Sequence, residues 1–268
     1  MRTSFRALAA ASLFGLAFAA SPAMAQDETV VPGDFKFSGY VQGVSDYRFR
    51  GLSASGGDPA IQGTINLNHS SGFYAGAWAS SIDDLGTDFL GDVELDLYAG
   101  WTGDVTPGLT ADVGLLRYVY PTNDGNGPAD YFEPYASLAT QVGPVNAKLG
   151  VAYAWKQKAL AFSDGTPDKD DNLYLFTDLS AGIPATPLTL NAHLGYADGA
   201  QSPKLLTRGP FNAAGALVDR DGGFDYSVGV SYNLTEALSL SAAYVGVDGA
   251  SFDEFSNDTV VATIKLAL

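Results

Sequence analysis

The chain has no cysteine, so neither a disulfide nor a thiolate ligand contributes to its stability or chemistry. Histidine is scarce, with two residues in 268, and no metal-ligand spacing, phosphate loop or nucleotide motif appears. Positive charge is also scarce. Fourteen Lys and Arg stand against 30 Asp and Glu, which argues against nucleic acid and against docking on anionic surfaces. No window shows a 3.6-residue apolar period, which removes amphipathic helices as the main element. Long apolar runs are missing too. Ala7–Ala20 falls short of the roughly 18–20 apolar residues that a spanning helix needs.

That one run follows Arg2 and Arg6 and precedes Ser21-Pro22-Ala23-Met24-Ala25. A charged start, an apolar middle and an Ala-x-Ala site read as a secretory signal peptide over residues 1–25. The remainder, Gln26 to Leu268, is expected to be one domain. Loss of Arg2 and Arg6 leaves 12 basic against 30 acidic residues, a net charge of −18.

What the chain has in quantity is period-2 alternation. Val93, Leu95, Leu97, Ala99 and Trp101 alternate with Asp92, Glu94, Asp96, Tyr98 and Gly100. Val145 to Lys156, Leu188 to Tyr196 and Phe224 to Leu234 repeat the pattern. A strand sends successive side chains to opposite faces. The alternation predicts about twelve strands of about ten residues, the length of a tilted bilayer crossing. The first is expected to run from Phe35 to about Arg50. It ends in Ser45-Asp46-Tyr47-Arg48-Phe49-Arg50-Gly51-Leu52, where Tyr47 and Phe49 would share the outer face and Asp46, Arg48 and Arg50 the inner one.

Connection lengths form a second pattern. Ser70 to Gly72, Gly103 to Gly108, Gly143-Pro144, Pro184 to Pro187 and Thr235 to Ala237 are short. The alternate connections, such as Ile82 to Gly91, Gln157 to Asp171 and Ala197 to Gly223, are mostly longer and polar. Short turns at one end and long loops at the other mark an outer-membrane barrel. Ring placement agrees. Phe35, Phe37, Phe73, Trp101 and Tyr232 fall near the short-turn end. Tyr47, Phe49, Phe132, Tyr153, Trp155, Tyr196, Phe224, Tyr226 and Tyr244 fall near the loop end. The fold expected is all-β, a transmembrane antiparallel up-and-down β-barrel. Three features fit less well: Arg117 on the outer parity, Pro134 within a strand, and a terminal Leu268 where many such barrels end in an aromatic residue.

Residues 45–53, then Pro59-Ala60-Ile61-Gln62-Gly63, then Ser71-Gly72-Phe73-Tyr74-Ala75-Gly76, resemble the proteobacterial TorF-type porin family. Arg117-Tyr118-Val119-Tyr120-Pro121 resembles its fifth-strand motif. The resemblance covers most of the mature chain and implies an outer-membrane barrel. It carries over no catalytic or ligand residues.

Parity nominates the pore lining: Asp46, Arg48, Arg50, Asp92, Glu94, Asp96, Glu133, Lys148, Asp178, His193 and Asp225. Opposed charges in a narrow lumen make a transverse field and a constriction. The competing reading is a salt-bridge network that plugs the barrel, each charge stabilised by its partner. The function expected is passive diffusion of small polar solutes or ions, with a weak preference for cations because acids are in excess. The alternative is a closed barrel acting through its loops. Partners expected are outer-membrane lipids and lipopolysaccharide, with no cofactor and no metal. Loop acids Asp83, Asp84 and Asp88, Asp164, Asp168, Asp170 and Asp171, and Asp253, Glu254 and Asp258 lack the spacing of a calcium loop and read as solvated surface. A hydrolase would need a Ser beside His69 or His193 and a group to orient the ring. His69 falls at a turn and His193 on the inner face, so the chain reads as a non-enzyme.

Overall fold

Alternating side chains along every long segment leave each strand with one apolar and one polar face. Twelve such strands satisfy both faces and every edge by closing on themselves. The computed structural model describes residues 34–83, 90–123, 128–160, 170–208 and 222–268. The signal-peptide segment, Asp84, Asp88, Asp164, Asp168 and the turn Asp124-Gly125-Asn126-Gly127 lie outside the described residues.

The chain opens with β1 (Phe35–Val44) and a two-rung hairpin, β2 (Arg48–Phe49) and β3 (Leu52–Ser53). β4 (Ala60–His69), β5 (Phe73–Ser81), β6 (Val93–Thr106), β7 (Leu109–Val119), β8 (Tyr131–Val142) and β9 (Val145–Ala154) follow. β10 (Asn172–Gly182), β11 (Leu188–Gly199), β12 (Gly223–Asn233), β13 (Leu238–Val247) and β14 (Thr259–Ala267) complete the chain. A single helical turn and a half, α1 (Pro203–Arg208), stands in the β11–β12 connection. All barrel strands pair antiparallel with their sequence neighbours. β14 returns to β1, with Tyr40 opposite Ala267 and Val44 opposite Thr263. Closure leaves no unpaired edge, which a lipid environment would penalise by several kcal/mol per polar group.

Polarity is inverted relative to a water-soluble fold. In β4, Ile61 is 71 % exposed while its neighbour Gln62 is 3 % exposed. Leu149 and Val228 are likewise more than half exposed at the middles of their strands. Apolar surface this continuous on the outside of a sheet demands a non-aqueous neighbour. Outward rings cluster at both ends, with Trp155 stacked on Phe132 (centroids 6.1 Å apart) and Tyr196 against Phe224 (4.9 Å) at the loop end. There Tyr153 donates to Asp171 at 2.7 Å, and that bond holds this carboxyl, just outside β10, below the usual carboxylate range.

The odd features resolve without a slip of parity. Arg117 does point outward near the loop end, where it donates to Asp130 (3.1 Å) and lies over the Phe132 ring. The β7–β8 register runs unbroken past Pro134, which stands opposite Leu115. Leu268 donates its backbone N–H to the Gly39 carbonyl and so extends the closing seam. The short turn expected from Gly103 is tighter. β6 continues to Thr106 through a register shift between Asp104 and Thr106.

The first strand is the main correction. It ends at Val44, not near Arg50. Ser45 finishes the seam with two bonds to Ala262: its backbone N–H donates to the Ala262 carbonyl, and its side-chain oxygen accepts from the Ala262 N–H. The chain then turns inward. Tyr47 and Phe49, expected on the outer face, pack inside, Tyr47 against Trp78 and Phe49 against Tyr118.

Candidate functional site: the loop-end half of the lumen

The inward hairpin is built by Arg50-Gly51. Phe49 pairs with Leu52, leaving a two-residue loop, and both loop residues have positive φ (48° and 80°). Two consecutive positive φ values are the signature of a type I′ turn, whose twist suits a two-residue hairpin. Gly51 is required twice over. A Cβ there would sit 2.3 Å from Val247 Cγ1, and a left-handed residue other than Gly costs roughly 1–2 kcal/mol. Gly51→Ala is therefore expected to loosen the hairpin. Because the chain has no cysteine, a single Cys in place of the buried Ser55 should react with a soluble maleimide faster in that background. Unchanged labelling would show that the turn is not what holds the hairpin in.

Arg50 is the latch. One of its nitrogens donates to both oxygens of Glu133 (2.7 and 2.8 Å) and the other donates to Gln201 Oε1 (2.5 Å). Its guanidinium lies 4.2 Å from the Tyr174 ring centroid. Glu133 also accepts from Tyr118 (3.0 Å), and Gln201 donates to Tyr131 (2.7 Å). Every partner is fixed by its own strand or by the segment before α1, where the Asn172 side chain accepts from the Gln201 backbone N–H.

Arg48 serves a different purpose. It pairs with Asp46, and it donates to the carbonyls of Gly51, Phe255 and Asn257 and to the Asn257 side chain. Asp46 in turn accepts from Ser53 and Ser55. This knot ties the hairpin to the last loop and spends the Arg48 charge locally. The ion pair of Arg48 is with Asp46, two residues away, rather than with an acid across the lumen.

Below the hairpin, four neighbouring strands carry a second cluster. Lys148, Asp178 and His193 are successive register partners across β9, β10 and β11. His193 Nδ1 lies 2.6 Å from Asp178 Oδ1 and Nε2 lies 3.0 Å from Asp225 Oδ1. Tyr174 donates to both oxygens of Asp225 (3.1 Å each). Each ring nitrogen of His193 thus faces a carboxylate, and Nε2 also meets the Tyr174 hydroxyl at 2.9 Å. The hydroxyl of Ser227, its register partner on β12, has no hydrogen-bond partner among the described residues. On the opposite wall Tyr74 donates to Asp112 (2.6 Å) and meets the Tyr135 hydroxyl. These rings fit because glycines face them. A Cβ at Gly195 would lie 2.1 Å from the Tyr174 hydroxyl and 2.3 Å from Asp225.

Of the residues nominated from parity, Asp46, Arg48, Arg50, Glu94, Asp96, Glu133 and Asp225 are buried inside the barrel, and Lys148, Asp178 and His193 half-buried on its inner wall. Asp92 is not among them. It precedes β6 at the loop-end rim, exposed, its backbone bonded to Thr122 and Ile82. Parity missed Tyr118, Tyr131, Tyr174, Gln201 and Asn257, which complete the network. The tyrosines carried a usable signal, lying on the inner parity, whereas nothing local marks Gln201 or Asn257.

A model of a bacterial protein family of unknown function, Gcw_chp, matches residues 28–267. No curated protein matches the chain. Among solved structures it is similar to the NanC porin, at 13 % identity over 85 % of this chain and 98 % of that one, with a TM-score of 0.57. It is also similar to the KdgM porin in complex with disordered oligogalacturonate, at 8 % identity over 86 % and 97 %, with a TM-score of 0.52. At such identities what is shared is the barrel fold.

Proposed function

The chain belongs to the Gcw_chp family of bacterial proteins of unknown function, and from that premise we propose that it is an outer-membrane porin-like channel, of the TorF type, for small polar solutes or ions. In this reading residues 1–25 are a cleaved signal, the apolar belt meets outer-membrane lipid and lipopolysaccharide, and the hairpin narrows the lumen.

One observation carries the proposal: polar side chains face into the barrel along its whole length, and the inward hairpin packs against its loop half. In the short-turn half, Ser38, Asn68, Asn146, Ser180 and Ser231 face inward and stay partly open. Asn146 donates to Ser180 and Asn191 to Ser231, a lining of small hydrogen-bonding groups that suits water. A barrel serving only as a membrane staple gains nothing from such a lining. In the loop half, inward acids outnumber the cations that face them, which favours a weak preference for cations.

Planar-bilayer recording of the refolded protein tests this. Expected are steady steps of small conductance, with a reversal potential in a KCl gradient that leans toward cations. A correctly folded, heat-modifiable barrel that passes no current, even after Arg50→Ala, would replace the channel with a plugged barrel acting through its loops. The buried latch favours that second reading.

A further inference from the structure

Beneath the hairpin lies a pair of acids that the latch does not neutralise. Glu94 and Asp96 are two residues apart on β6, so both point inward. They are buried, Asp96 to 0 % exposure. Glu94 accepts from the Tyr47 hydroxyl of the hairpin (3.2 Å). Among the described residues, no N–H or O–H of another side chain or of the backbone reaches either oxygen of Asp96. The Glu94 carboxyl lies against it on the same inward face.

Two carboxyl groups bond to each other only with a proton between them, because an ionised carboxylate accepts and never donates. The surroundings supply no substitute. From the hairpin, Tyr47 faces the pair, with Arg50 beyond Glu133; from β6 itself, Tyr98; from β5, Trp78; from β7 and just beyond it, Tyr118 and Tyr120; from β8, Tyr131 and Glu133. Of these only Arg50 is a cation, and its donors are directed at Glu133 and Gln201. Among the described residues no lysine or arginine pairs with Glu94 or Asp96.

We propose that Glu94 and Asp96 form a proton-binding site under the hairpin, holding one proton between Asp96 and Glu94, and that releasing it drives the hairpin out of the lumen. Release transfers the proton to water or a buffer base and leaves two adjacent carboxylates. Their repulsion in a buried wall is relieved only if water enters, and water enters where Tyr47 now sits. The packed state holds the proton and the opened state does not. Raising the pH therefore favours opening, by up to about tenfold in population per pH unit once the packed state's proton is the one being lost.

The electrical consequence rests on the channel reading; the proton site does not, and the test separates them. Trp78 touches Tyr47 and is the register partner of Asp96. A Trp101→Phe/Trp155→Phe background makes Trp78 the sole tryptophan, and its emission can be followed as refolded protein in detergent is titrated from acid to alkaline pH. Infrared difference spectra are taken on the same samples. Expected are a protonated-carboxyl C=O band at neutral pH, its loss on alkaline titration, and a Trp78 red shift in the same step. Asp96→Asn, whose amide can donate to Glu94, should remove band and titration together and keep Trp78 in its packed environment. Glu94→Gln should do the same, which guards against a folding defect peculiar to one variant. Absence of the band at neutral pH, or a Trp78 titration that persists in both variants, overturns the proposal. A step that moves with sodium or calcium concentration at fixed pH also overturns it and assigns the site to a metal cation. If Trp78 titrates as expected but no variant passes current at any pH, the proton site stands and the channel reading fails.

Discussion

Arg50→Ala should produce the largest functional change of any single substitution in the lumen: a higher unitary conductance, with the closed state depopulated. Truncation removes three charge-assisted hydrogen bonds and the cation over the Tyr174 ring. It also leaves Glu133, 1 % exposed, with the Tyr118 hydroxyl as its remaining partner among the described residues. Breaking one side of a buried ion pair costs about 3–5 kcal/mol, because the remaining charge is stranded. The barrel wall does not depend on this pair, since its strands are held by a complete ladder. The cost therefore falls on the packed position of the hairpin. A shift of about 3 kcal/mol moves a two-state equilibrium roughly a hundredfold. Arg50→Lys should recover only part of the closed population, because an ammonium lacks the planar fork that reaches Glu133 with one nitrogen and Gln201 with the other. Arg50→Ala with Glu133→Gln should be less open than Arg50→Ala alone, because no stranded charge remains. Bilayer recordings of the four proteins decide the matter. Equal conductance in wild type and Arg50→Ala would mean that the hairpin does not set the current.

Val228→Arg addresses the other half of the proposal, the lipid-facing wall. Val228 is at the middle of β12, 63 % exposed, between Ala192 on β11 and Tyr244 on β13. On a water-soluble sheet this substitution would be close to neutral. On the lipid face of a membrane barrel, an arginine near the midplane costs about 2–4 kcal/mol. The measurement is urea unfolding of protein refolded into lipid vesicles, beside a control with Arg at the exposed short-turn residue Glu236. A midpoint lowered for Val228→Arg and unchanged for the control is expected. Equal midpoints would remove the membrane from the account.

Both results follow from features of different legibility. The barrel was readable because its cause is local. Period-2 alternation in Val93–Trp101 or Val145–Lys156 says which residues share a face. The alternation of short turns with long loops says which strands are neighbours. Closure then follows from the polarity of backbone groups, without any knowledge of particular contacts. Where local turn chemistry competed with alternation, the reading failed. Asp46 to Arg50 alternates as well as any strand, yet Ser45 takes the last bond of the seam and Arg50-Gly51 makes a type I′ turn that folds the segment inward.

The sequence by itself determined the twelve strands, the apolar outer face and the polar inner one, because each depends on residues two or three apart. Only the tertiary structure decided what the inner charges do. Arg48 is spent on Asp46 and the last loop, Arg50 on Glu133 and Gln201, and His193 on two carboxylates. Asp96, with no hydrogen-bond donor among the described residues, lies against Glu94. Those pairings join residues as far apart as Arg48 and Asn257. Parity places such residues on the same side of a wall, but whether they meet depends on shear, on the path of the hairpin and on the space left by the rings around it.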